Sequence, residues 1–101
     1  MILNVFISAD IARNANVTCD VISIVDRELR GALAIYDAKH SDVTACLHQC
    51  QRRSDCVTAQ WHSSGVCKLY DVSPRDASLS YDATAQLYEF LCEGASFKQR
   101  A

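Results

Sequence analysis

No stretch of this chain approaches the length of apolar residues that a helix needs to cross a bilayer, so membrane insertion is not expected. Charge of one sign is also missing. The net charge is −2, with acidic and basic residues interspersed, which argues against a nucleic-acid partner or a strongly heparin-binding surface. No internal repeat and no low-complexity tract occurs, and Pro74 is the only proline. The cysteines include no Cys-x-x-Cys knuckle, the close pair from which structural zinc sites draw ligands, although His40, His48 and His62 lie nearby. The carboxylates form no Asp-x-Asp or Glu-x-x-His pairing. No metal and no cofactor is expected.

What the chain has in excess is cysteine. Six in 101 residues is an even number and several times ordinary usage, which favours an oxidised scaffold made outside the cytosol. Cys46 and Cys50 stand four apart, so on a helix they project from one face, one turn apart. Cys56 and Cys67 bracket a short alternating run and a turn, while Cys19 and Cys92 lie far out on either side. Six thiols can pair in many ways, and spacing alone does not choose among them. The triplet Asn16-Val17-Thr18 is an acceptor sequon, which makes Asn16 a candidate glycosylation site in a secreted protein.

A chain of this length with half its residues apolar can build one core, so a single domain over residues 1–101 is expected, with its core at 16–93. Residues 1–15 form an N-terminal segment and 94–101 a frayed tail. The apolar run Met1 to Ala9 lacks a basic leader and reads as an edge strand or an added start. Asn16 to Val25 is rich in β-branched residues and reads as a strand. Asp26 to Arg30 is charged and reads equally as a helical turn or a loop. Ala32 to Asp37 reads as a strand. Ser41 is placed as an N-cap, with Asp42 in the first turn of a helix running to about Arg52 that buries Val43, Cys46, Leu47 and Cys50. Val57 to His62 alternates, with Val57, Ala59 and Trp61 inward. Ser63-Ser64-Gly65 is a turn and Val66 to Tyr70 the return strand. Asp71 to Asp82 reads as a polar loop, and Ala85 to Cys92 as a last strand packing Leu87, Phe90 and Cys92. The sum is α+β, a single α-helix packed on a mostly antiparallel β-sheet.

The run Ser41-x-x-x-x-Cys46-Leu47-x-x-Cys50, followed by Cys56-x-x-Ala59-x-Trp61 and Cys67-x-Leu69-Tyr70, resembles the core of PAN/apple domains. The resemblance covers Gly31 to Tyr70, and Cys19 and Cys92 are similar to the extra bridge of the apple subtype. It implies a helix stapled to a central hairpin and a nested pairing of Cys19 with Cys92, Cys46 with Cys67, and Cys50 with Cys56. Ala59 departs from the family, which often has an aromatic there; Trp61 is positioned to take that volume. A loop closed by Cys46 and Cys67 would stabilise by about 3 kcal/mol and a Cys19–Cys92 clasp by about 4 to 5 kcal/mol.

Catalysis is not expected. Cysteines held in bridges are not nucleophiles, and no histidine has a partner that the sequence can place. The resemblance implies a secreted, non-enzymatic recognition module for an extracellular protein or a glycan. For a protein partner the candidate anchors are Arg52, Arg53, Arg75 and Tyr81. For a lectin-like site they are Gln60, His62 and Lys68 on the outer face of the hairpin, together with Tyr36. A third reading is a self-associating module, in which Leu3 to Ile7 pairs edge to edge in a noncovalent homodimer.

Overall fold

The computed structural model describes residues 7–9 and 17–93. Their strands are β1 (Ile7–Ala9), β2 (Val17–Arg30), β3 (Tyr36–Lys39), β4 (Thr58–His62), β5 (Val66–Tyr70) and β6 (Ser78–Glu93). They join in one sheet of order β1-β2-β6-β4-β5-β3 in which every pairing is antiparallel. A single α-helix among the described residues, α1 (Val43–Arg52), packs on one face of it. This is the α+β arrangement expected from the residue pattern.

The local chemistry of α1 differs from expectation by one residue. Asp42, not Ser41, is the N-cap: its Oδ1 accepts the Ala45 N–H at 2.9 Å, while its backbone stays extended. Val43, Cys46, Leu47 and Cys50 then form the stripe that faces the sheet. At the other end the Arg53 N–H donates to the Cys50 carbonyl, and the chain turns at once toward Cys56. The β4–β5 hairpin closes through Gly65, whose N–H donates to the His62 carbonyl. Gly65 has φ +99°, and a Cβ there would lie 3.2 Å from the His40 carbonyl oxygen, so glycine suits both the turn and the close passage of the chain.

Three bridges staple this side: Cys19–Cys92, Cys46–Cys67 and Cys50–Cys56. This is the pairing that the family resemblance implies. Cys19 and Cys92 are direct cross-strand partners of β2 and β6, whereas Cys46 ties α1 to β5. With Val21, Ala59, Leu69, Tyr88 and Phe90 the bridged sulfurs form the main core, against which Tyr36, Leu47 and Trp61 pack.

Three stretches take other forms than expected. Asp26 to Arg30 is neither helical turn nor loop; β2 continues through it. The strand expected over Ala32 to Asp37 is displaced, since regular pairing begins only at Tyr36. Asp71 to Asp82 is not a plain loop: it holds a 3-10 turn at Pro74–Asp76, capped by Ser73, and the start of β6 at Ser78. Asn16, residues 1–6 and the tail from Gly94 lie outside the described residues.

The lengthened β2 and β6 make a two-stranded ribbon whose far end folds over the outer face of the sheet. There Leu29, Tyr70 and Leu87 form a second buried cluster with Ile24, Ala32, Val72 and Ala77 around it. An outer face that alternation alone would leave to solvent is therefore largely covered.

Candidate functional site

The ribbon bends where the register between β2 and β6 slips. Val25 pairs with Gln86 and Arg27 with Tyr81, so Asp26 alone opposes residues 82–85. Asp26 takes φ 60°, a left-handed conformation that Asp and Asn tolerate better than most residues. Such bulges re-aim side chains, and this one sends neighbouring pairs in two directions. Arg27 and Tyr81 are cross-strand partners, and Glu28 and Ser80 are the next pair along, on the opposite face of the ribbon.

On one face, Tyr81 is 69% exposed and the Arg27 guanidinium lies 5.6 Å above its ring centroid. Leu79, two residues before Tyr81 on the same face, is also exposed. On the other face, Glu28 of β2, His62 of β4 and Asp82 of β6 converge. One ligand atom from each lies within 4.8 Å of the other two, and all three residues are half-buried. Ser80 Oγ donates to Glu28 Oε2, and the Thr84 backbone and hydroxyl both donate to Asp82 Oδ1. The Thr84 hydroxyl, then its N–H, hold the Asp82 carboxyl below the usual carboxylate range.

Beneath this cluster sits Gln60, 2% exposed. Its Oε1 accepts the Leu29 N–H at 2.8 Å, which orients the amide so that its Nε2 donates to His62 Nε2 at 2.9 Å. His62 Nε2 accepts in this arrangement, which places the ring proton on Nδ1, 4.0 Å from Asp82 Oδ2.

Of the four residues grouped for a glycan, Gln60, His62 and Lys68 share the outer face, Gln60 opposite Lys68 and bonded to His62, while Tyr36 does not join them. Gln60 is buried, with Oε1 and Nε2 each bonded within the fold, so it is not open to a sugar. Tyr36 pairs with Leu69 and faces the α1 side, across the sheet from Gln60, His62 and Lys68. Its hydroxyl bonds His40 Nε2 at 2.9 Å. Lys68 is half-buried beside its cross-strand partner Asp37.

The protein-partner candidates also scatter. Arg52 is exposed on the last turn of α1. Arg53 bonds both oxygens of Asp55 and lies over the Tyr36 ring. Arg75 reaches the buried Glu89 at 2.8 Å, where Ser73 also donates. Only Tyr81 stands in an exposed aromatic and apolar setting, and its companion Arg27 was not among the expected anchors. Nor were Glu28 and Asp82. A usable signal did exist: Ser78-Leu79-Ser80-Tyr81-Asp82 alternates strictly, a strand pattern within a polar composition.

A family model of PAN-like domains matches residues 22–86, well over half of the chain, and the chain belongs to that family. The matched span runs from β2 into β6 and contains α1, the hairpin and the two inner bridges. Among curated proteins no match is found. Members of the family are typically protein- or carbohydrate-binding modules and are not typically catalytic. A disulfide-rich domain of this kind suggests an extracellular location. No helix among the described residues is long and apolar enough to cross a membrane.

Proposed function

We propose that this chain is a secreted, non-enzymatic recognition module whose partner is an extracellular protein, engaged through the folded end of the β2–β6 ribbon. The observation that carries this reading is the exposure of Tyr81 under the Arg27 guanidinium, with the exposed Leu79 two residues away on the same face. Tyrosine and arginine dominate binding energy at protein interfaces because each offers a large, rigid contact area with a polar handle. The cross-strand pairing sets Arg27 and Tyr81 side by side, and the contact of guanidinium with ring presents them as one surface. The glycan reading stands second, because its expected group is divided between the two faces of the sheet and Gln60 is buried. Edge pairing of a second copy along β1 is a third, noncovalent route to assembly, since no cysteine among the bridged six is left over.

The test uses the oxidised protein immobilised as bait for an extracellular protein fraction, beside a glycan array. A protein retained by the wild type and by Arg52→Ala, but lost with Tyr81→Ala and Arg27→Ala, supports the proposal. Saturable binding on the array that is indifferent to Tyr81→Ala would replace it with the glycan reading. A concentration-dependent dimer that dissolves on removal of residues 1–9 would favour self-association.

A further inference from the structure

The geometry points to a divalent transition-metal site, best suited to zinc, formed by Glu28, His62 and Asp82. Three different strands deliver these donors to one place, two of them across the bulge at Asp26. One imidazole nitrogen and two carboxylate oxygens are a donor set that suits zinc and its neighbours, whereas calcium and magnesium take oxygen alone. The charge balance favours a cation as well. Among the described residues neither Glu28 nor Asp82 has a lysine or arginine within ion-pair distance. Two half-buried carboxylates thus lie close together with hydrogen bonds from Ser80 and Thr84 but no paired cationic side chain.

One pair is already close to the spacing of ligands on a shared ion, and a Glu28 oxygen lies within 4.8 Å of both. His62 Nδ1 and Asp82 Oδ2 stand 4.0 Å apart, too far for a hydrogen bond. Ligands at roughly 2.0–2.2 Å from one zinc would close that gap by well under an ångström. The outer contacts are also in place, with Ser80 on Glu28 and Thr84 on Asp82 orienting the carboxylates. Binding at Nδ1 requires the proton to leave that nitrogen and one to sit on Nε2. Gln60 would give up its Nε2 bond to His62 and turn its amide, so that Oε1, with two lone pairs, holds the His62 Nε2–H beside the Leu29 N–H. A buried carbonyl behind a metal-bound histidine is the usual support for such a ligand.

The experiment titrates zinc chloride into the full oxidised chain by calorimetry, with nitrogen-15 spectra of the histidine rings followed in parallel. Saturable 1:1 binding is expected, weakened about tenfold or more by each of Glu28→Gln, His62→Asn and Asp82→Asn, and unchanged by His48→Asn. The ring spectra of the wild type should show His62 exchanging its protonated nitrogen from Nδ1 to Nε2, a readout that needs no variant to fold. Absence of saturable zinc binding overturns the proposal. So does binding that survives all three substitutions, equal affinity for calcium, or a His62 ring that keeps its proton on Nδ1 in saturating zinc. Loss of a protein partner with Tyr81→Ala is independent of every one of these outcomes.

Discussion

The two faces of the sheet solve the same problem with different materials. On the α1 side, six sulfurs in three bridges are packed with Val21, Leu69 and Phe90, and few buried polar side chains intervene. On the outer side a smaller apolar cluster is joined to buried polar groups: Gln60 pinned to Leu29, Thr58 donating to the Val72 carbonyl, and Glu89 receiving Ser73 and Arg75. Directional hydrogen bonds make the second side specific, and it is there that the exposed aromatic and the three-donor cluster arise. Polar groups that must be satisfied when buried place their neighbours more strictly than apolar contact does.

The largest effects should come from breaking the covalent side. The bridges close spans of 73, 21 and 6 residues. In the chain-entropy model, double substitution to alanine should cost about 4 kcal/mol for Cys19–Cys92, about 3 for Cys46–Cys67 and about 2 for Cys50–Cys56. Denaturant unfolding of the three double variants checks the ranking. Equal losses for the two inner bridges would show that packing around the buried sulfurs, rather than loop closure, sets their contribution.

A smaller loss is expected on the outer side. Gln60→Leu keeps the volume but strands the Leu29 N–H, at a cost of about 1–3 kcal/mol. It also removes the donor that fixes the His62 tautomer. If Gln60→Leu proved neutral in thermal unfolding, the ribbon end would be held by the apolar cluster alone, and the contrast between the faces would fail.

The mildest probe compares one tyrosine from each side. Burial raises the phenol of Tyr88 in the main core and is also the largest cause for Tyr70, where Asp37 and Glu28 raise it further. A raised folded value means that both phenols stabilise the fold fully below about pH 10 and lose that contribution as pH rises through their folded values. Added salt should bring the Tyr70 ionisation down and leave Tyr88 nearly unmoved, because salt screens carboxylates but not burial. Ultraviolet titration at two ionic strengths, with Tyr70→Phe and Tyr88→Phe for assignment, reads this directly. A Tyr88 midpoint that shifts as much as that of Tyr70 would contradict it.

The α1 side was legible from residues because its signals are local. The i, i+4 cysteines, the alternation from Val57 to Trp61 and the glycine turn each lie within a few residues, and the helix and hairpin appear where they indicate. The outer side was not legible, for an equally physical reason. Asp26 to Arg30 and Asp71 to Asp82 are polar, so composition reads them as loops. They are ordered by pairing with each other and by contacts such as Leu29 with Gln60, at a sequence separation of 31. Gln60 looked solvent-facing for the same reason, since alternation says which face a side chain takes but not what later covers that face.

By itself, then, the sequence determined an oxidised α+β frame, through cysteine number, helical spacing and strand alternation, and carried the family resemblance that implied the pairing. Only the tertiary structure decided the register slip at Asp26, and with it the aim of Arg27 and Tyr81 outward and of Glu28 and Asp82 toward His62. That slip depends on how two strands some fifty residues apart meet, and the energy selecting it comes from long-range hydrogen bonds and burial that no local pattern encodes.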